Sequence, residues 1–303
     1  MRLAPLLQMI LPLALAPLLL SVINRTKAMV AGRHGQVLLQ PYYDLAKLLK
    51  KGAVYSRTTT WVFRAGPVVG LAAVLVATTL VPFGGASAPV AFAGDLIFFA
   101  YLLGLLRFFT VLAALDTGSS FEGMGASREV TFSALAEPAL LLALAAIAHQ
   151  THSLSLSMMY AGVNFQTWAG AAPVFALLAG AILVVFLTEN ARIPIDDPTT
   201  HLELTMIHEV MVLDHGGPDL ALILYGSTLK LWLLGMLFVG LVVPVRSGNL
   251  WLDGIATMAG LFGLAVLTGI IESTIARWRL ARVPQLLVGA CVLSALALVL
   301  ALR

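Results

Sequence analysis

Residues 94–130 read GDLIFFAYLLGLLRFFTVLAALDTGSSFEGMGASREV, and between Asp95 and Asp116 the only charged residue is Arg107. A hydrocarbon core about 30 Å thick takes roughly 20 helical residues to cross, so the run 95–115 is long enough to span a bilayer once. It ends abruptly in glycines, serines and acids. The same alternation recurs along the chain, with apolar runs at 3–23, 65–83, 95–115, 131–148, 170–188, 220–244, 252–275 and 284–302. A lipid-exposed backbone must satisfy its own hydrogen bonds, so the runs are expected to be helices. The predicted fold is an all-α polytopic membrane protein, a single integral membrane domain over 1–303 with about eight transmembrane helices and short interfacial helices. Composition agrees, with 60% apolar residues, 11% charged residues and a mean hydropathy of +0.96. The first run is longer than a signal-peptide core and ends in NRTK without a small-residue cleavage pattern, so it reads as an uncleaved span.

Basic residues set the expected orientation. The connecting loops 24–64, 116–130, 189–219 and 276–283 carry 13 of the 18 lysines and arginines, which by the positive-inside rule makes them cytoplasmic and places both termini outside, in a cell (inner) membrane. Topology accounts for the basic charge, so no nucleic-acid partner is implied; the lipid bilayer is the partner that composition demands. Cys291, the single cysteine, falls within the last apolar run, which leaves no disulfide framework and no thiolate set for zinc or an iron–sulfur cluster. No P-loop, dinucleotide fingerprint, GxSxG or HExxH occurs. No catalytic residue, bound metal or resident cofactor is therefore assigned to this chain alone.

Polar chemistry concentrates in a few places. Arg107, Glu137, Lys230 and Glu272 lie within apolar runs, where a charge at the helix centre costs about 2.5–3.5 kcal/mol on insertion scales. Two readings stand for each, a structural ion pair between helices or a member of a proton or ion path. Residues 189–219 hold seven of the fifteen acids and three of the six histidines. Asp197 followed by Pro198 is a helix-start signal, and the pattern predicts a helix from Pro198 to about Leu213, halted by DHGGPD. Glu203 would then fall within the apolar stripe of Leu202, Met206, Val210 and Leu213, which makes it the acid best suited to carry a proton. His201, His208 and Glu209 are the weaker alternative, a metal set without the i, i+4 spacing of helical zinc ligands.

Two loops have further character. LLQPYYDLAKLLKKG (38–52) starts with Gln40 and Pro41 and sets Tyr42, Leu45, Leu48 and Leu49 at helical spacing beside three lysines, the pattern of a short interfacial helix. In 115–130, Gly118, Gly123 and Gly125 favour turns and close backbone approach. Ser127 there is expected to cap the next helix, with Glu129 in its first turn.

These stretches carry a resemblance. LLQPYYDLAKLLKKG, the segment 94–130 and ENARIPIDDPTTHLELTMIHE (189–209) are together similar to the subunit 1 family of respiratory complex I, and LDTGS and GASRE favour its branch in membrane-bound group 4 hydrogenases of the formate hydrogenlyase type. The resemblance implies a membrane-anchoring and coupling subunit that docks a peripheral redox arm and links electron transfer to proton or ion translocation. It implies that Glu129, Glu189, Asp196 and Glu203 belong to an acidic chain; Glu137 and Lys230, by their place within apolar runs, and His201, by its titratable ring, are further proton-path candidates. Arg192 and Pro194 shape the loop, and Asp116, Gly118, Gly125, Arg128, Gln40, Pro41 and Asp44 are docking or loop-shaping positions by the same likeness. Implied partners are hydrogenase-like large and small subunits, an iron–sulfur subunit and antiporter-like membrane subunits. The NiFe centre and iron–sulfur clusters would sit on those partners, with a quinone at the subunit interface. PTTHLEL (198–204) departs from the acid-rich run of complex I relatives, leaving Glu203, with His201 as a titratable substitute. Two alternatives remain: a quinone-pocket subunit of a NADH dehydrogenase-like complex, or a self-contained secondary transporter using Glu203, Lys230 and Glu137.

Overall fold

A computed structural model describes residues 3–196 and 206–303. Among the described residues eight helices are long and apolar enough to cross a membrane. They are α1 (Leu3–Val30), α3 (Trp61–Thr78), α4 (Asp95–Asp116), α5 (Ser120–Thr151), α8 (Ala172–Glu189), α9 (Gly217–Val242), α10 (Leu250–Thr274) and α11 (Val283–Ala301). Short helices α2 (Gln40–Leu49), α6 (Leu156–Gly162) and α7 (Phe165–Gly170) lie in the connections. The expected interfacial helix is α2, with Pro41 in its first turn, where a missing N–H costs nothing. Its Gln40 Nε2 donates to Asp44 Oδ1 at 2.9 Å.

The bundle closes through α3 on α4, α11 on α5 and α8, and α1 on α10, while α9 touches α1, α3, α8 and α10. Its central position explains why Leu229 to Leu237 of α9 are buried without a break. Pro17 inside α1 removes the donor that would serve the Leu13 carbonyl four residues earlier. The Tyr225 hydroxyl of α9 donates to that carbonyl at 2.9 Å, so the interruption in one helix is repaired by its neighbour.

Two expectations need correction at the end that carries the basic loops. First, α5 begins at Ser120, eleven residues before the predicted span, so most of 116–130 is helix. Ser127 caps nothing: it lies inside α5, where its carbonyl accepts from Thr131 Oγ1. Glu129 is in the third turn rather than the first. Each glycine costs a helix about 1 kcal/mol, and packing of this extension against residues 207–211 overrides that preference. Second, the helix expected over 198–213 is not present in its described portion: residues 206–208 are irregular and Glu209–Val212 form a 3₁₀ turn. The reason is tertiary competition for backbone groups. Asp196 Oδ2 takes the N–H groups of Ile207 and His208, at 3.1 and 3.2 Å, and Arg128 Nη1 donates to the Met206 carbonyl at 2.8 Å.

Asp116 ties the ends of two spans together. Its carboxylate accepts from the backbone N–H of Thr60 at 2.6 Å and Phe63 at 3.3 Å, and from the Thr60 hydroxyl, so it caps α3 from the last residue of α4. Asp116→Ala is expected to lower stability by about 1 kcal/mol, the usual worth of an N-cap, read as a lower thermal midpoint in detergent. An unchanged midpoint would count against the capping role.

His215 stacks on Phe63 with ring centroids 3.9 Å apart and its burial pushes the imidazole below its ordinary 6.5, against the pull of Asp219 and Asp214. The folded chain therefore holds His215 neutral while an unfolded chain takes a proton near pH 6.5. Its contribution is complete above that pH and is lost as pH falls below it. His215→Phe is expected to flatten the decline of the thermal midpoint between pH 7 and 5; an identical slope in the variant would refute the assignment.

Candidate functional site

Of the four charges that sequence places within apolar runs, Glu272 stands apart, whereas Glu137 and Lys230 join a network centred on Arg107 of α4. Its Nε lies 3.2 Å from Glu129 Oε1 of α5, while its Nη1 donates to Glu137 and its Nη2 to Glu189, the last residue of α8. Lys230 of α9 reaches the other oxygen of Glu189 at 3.1 Å. Glu129 and Glu137 are eight residues apart on one helix, about 12 Å along its axis at 1.5 Å per residue, and only a long, flat guanidinium presenting several donors can bridge them. Arg107, Glu129, Glu189 and Lys230 are buried. Glu137 differs, for 51% of its side chain remains open at the surface of the bundle.

Charge counting gives this network its chemistry. Among the described residues three carboxylates face two cations, so with every group in its usual ionisation state one negative charge is unbalanced. The buried members balance, Glu129 and Glu189 against Arg107 and Lys230, so the surplus falls on half-open Glu137, and one proton added to the network would restore neutrality. His208 also lies against this network: its Nε2 is 3.5 Å from Glu129 Oε2, and its side chain is 29% exposed.

A second charged group lies beside the first, towards the basic loops. Glu272 of α10 is fully enclosed between Lys27 of α1, at 2.8 Å, and Arg192, at 3.4 Å. Asp196 pairs with Arg277 at 3.0 Å while accepting the two backbone donors of residues 207 and 208, and the Pro194 carbonyl accepts from Trp278 N. The connection after α8 is thereby fastened both to the α10–α11 connection and to the residue that touches Glu129.

Gly125 sets the distance between α5 and this connection. A Cβ on it would lie 2.3 Å from Val210 Cγ1 and 2.9 Å from the Ile207 carbonyl oxygen. One turn earlier, Glu122 is fully buried and its Oε1 accepts from Asp214 N at 3.0 Å. Gly118 makes the turn between α4 and α5 with φ of +70°.

Of the residues singled out in sequence, Glu129, Glu137, Glu189 and Lys230 meet in one network. Asp196, Arg192 and Pro194 shape the adjoining loop, as do Gly125 and Arg128. Gln40, Pro41, Asp44 and Asp116 sit on α2 or at the α3–α4 junction, outside the network. Glu203 and His201 lie outside the described residues. Sequence reading gave no special role to Lys27 or Arg277, which carry no signal beyond their charge. His208 stands in the sequence as a weak metal-ligand or catalytic candidate together with His201, which lies outside the described residues; among the described residues its neighbour is Glu129. Arg107 did carry a signal, a lone cation in a long apolar run.

Eight spans built around charges inside the bundle define a polytopic membrane protein whose polar centre lies among its helices. The chain belongs to the NADH dehydrogenase family, of the complex I subunit 1 type, whose profile matches residues 4–303. It is 30% identical over 288 residues to formate hydrogenlyase subunit 4 of Escherichia coli (strain K12), covering 93% of this chain and 92% of that one. It is 34% identical over 278 residues to hydrogenase-4 component C of the same organism, covering 90% and 87%. Among solved structures its fold matches a chain of the membrane-bound sulfane sulfur reductase, an archaeal respiratory membrane complex, with a TM-score of 0.84, 19% identity and coverage of 99% and 98%.

Proposed function

We propose that this chain is the membrane-anchoring and coupling subunit of a hydrogenase-like, multisubunit oxidoreductase, docking a peripheral redox arm at its basic, cytoplasmic end with both termini outside. The observation that carries the coupling role is the charge imbalance of the Arg107 network, three carboxylates against two cations, with His208 reaching it from the loop after α8. A proton taken up from the cytoplasmic face by His208 can pass to Glu129, leaving the imidazole neutral. Because Arg107 contacts both Glu129 and Glu137, the proton can be redistributed between these two by small movements of one guanidinium, while Glu189 is the anion that Arg107 and Lys230 balance. Glu203, Asp196 and His201 extend the intake side of the path in this reading.

Glu137 supports the partner assignment. Half of its side chain is open within a span, where facing lipid would be costly, so a neighbouring membrane subunit or enclosed water is expected to cover it. An antiporter-like subunit there would receive the proton. Redox chemistry belongs to hydrogenase-like large and small subunits and an iron–sulfur subunit, which would hold the NiFe centre and clusters, and a quinone is an acceptor at that interface in the complex I-like variant. The relatives of matching length are named as a subunit and a component of hydrogen-metabolising enzymes, which favours this reading over a self-contained transporter.

Glu129→Gln tests the coupling role. It keeps the shape and one hydrogen-bond acceptor for Arg107 but removes the group that exchanges a proton with His208. The assembled complex is expected to retain electron transfer between soluble donor and acceptor while proton translocation in sealed vesicles falls at least fivefold. Unchanged translocation with assembly verified would rule the role out, and failure to assemble would mark Glu129 as structural.

A further inference from the structure

At the end opposite the basic loops, two cavities flank one turn. The first, of 260 Å³, is partly polar: Ser87, Ser157, Thr257, Tyr160 and Arg246 lie on its wall with the glycines of the turn 84–85. The second, of 420 Å³, is an apolar groove between α1 and α10, lined by Leu11, Ile255, Met258, Phe262 and Trp251. Ala86 borders both, and the contact that separates them is as close as a protein backbone allows, since a Cβ on Gly84 would lie 2.6 Å from Gly254 Cα. A polar pocket and a greasy channel therefore share a rim of one short turn.

Each contains a group without a sufficient partner. Arg246 donates Nε to the Tyr160 carbonyl at 3.2 Å and Nη1 to the Val245 carbonyl; Asp253 attracts it from beyond ion-pair distance while its own Oδ1 accepts from Ser247, so no carboxylate forms an ion pair with Arg246 among the described residues. Gln8, on the wall of the groove, is buried with both its amide nitrogen and its amide oxygen unpaired. Unpaired buried amides are rare, because each forgoes hydrogen bonds that water would supply, and a common cause is a bound molecule. Trp251 is exposed at the same level, as tryptophans are where hydrocarbon meets headgroups.

We propose that this is a binding site for one phospholipid of the leaflet opposite the basic loops, with its phosphate on Arg246 in the polar cavity and an acyl chain in the α1–α10 groove. The glycerol region crosses the rim at Ala86, and Gln8 donates to an ester carbonyl. A free phosphate would leave the groove and Gln8 unexplained, and a bare hydrocarbon would leave Arg246 unexplained. The site is separate from the Arg107 network and does not depend on the coupling role.

The test uses the whole complex, purified in mild detergent, stripped of lipid and reconstituted with phosphatidylglycerol as the probe. Native mass spectrometry of the released subunit and its thermal midpoint are both read. About one lipid is expected to remain bound and to raise the midpoint. Arg246→Gln and Ala259→Phe, the latter filling the exposed side of the groove, are each expected to lower retention at least tenfold, and Gln8→Leu to lower it less. Glycerol 3-phosphate alone is expected to have no effect. Undiminished retention in Arg246→Gln and Ala259→Phe overturns the site. Sensitivity to Ala259→Phe alone would make it a hydrocarbon or partner-helix groove, and a full effect of glycerol 3-phosphate would make it a soluble-anion site; both outcomes overturn the proposal. If Ala259→Phe does not assemble, Ile255→Trp probes the same groove from its exposed side.

Discussion

Arg107→Met is expected to abolish recovery of the folded subunit. The substitution removes the single cation that touches Glu129, Glu137 and Glu189 and leaves only Lys230 against three carboxylates. Breaking a buried ion pair from one side costs about 3–5 kcal/mol, because the stranded partner stays buried without compensation. That is a large share of the 5–15 kcal/mol by which ordinary domains are stable. The measurement is the amount of subunit in the assembled complex on native electrophoresis, together with its thermal midpoint. Adding Glu129→Gln and Glu137→Gln to Arg107→Met should restore much of the loss, since the offending charges go with the cation. Wild-type assembly in the single variant would show that the acids are held neutral without Arg107 and would undo the charge count on which the coupling role rests.

The second large effect is expected from Gly125→Leu. Here the obstacle is steric and includes the main chain: the first side-chain carbon would already meet Val210 Cγ1 at 2.3 Å and the Ile207 carbonyl at 2.9 Å. A methyl group on Val210 can turn aside, but Ile207 is fixed by its hydrogen bond to Asp196. Overpacking of this kind costs about 1–3 kcal/mol when the surroundings can adjust. The expected adjustment is displacement of residues 206–212 from α5, which carries His208 away from Glu129. Coupled activity should fall more than the thermal midpoint does, whereas Gly125→Ala should show a smaller loss of both. Full coupling in Gly125→Leu would mean that contact between this segment and α5 is irrelevant to function.

The contrast between these variants reflects how the site is built. Arg107 could be flagged by reading the chain, because a lone cation in twenty apolar residues must find partners somewhere. Which partners it finds could not be read, since Glu129, Glu137, Glu189 and Lys230 come from three other helices and meet only when α4, α5, α8 and α9 pack. Gly125 was noticed as a position of close approach, but what approaches it was decided by a segment some eighty residues later. The helix expected over 198–213 shows the limit most clearly. Asp–Pro and the apolar periodicity are local signals, and in the described part of that segment Asp196 and Arg128 hold the backbone groups a helix would need. The early start of α5 is the reverse case, where glycine-rich sequence argued for a loop and packing kept it helical.

Sequence alone determined the number of spans, their approximate edges, the interfacial helix and the family, because hydrocarbon imposes length and apolarity on every segment that crosses it. Those constraints are local and act on each run separately. Tertiary structure decided which acids share Arg107, that His208 touches Glu129, and that Glu272 is enclosed by Lys27 and Arg192. Such pairings depend on helix rotation and on the route of the connections, and electrostatic energy falls so steeply with distance and dielectric that only the packed bundle determines which charges act together.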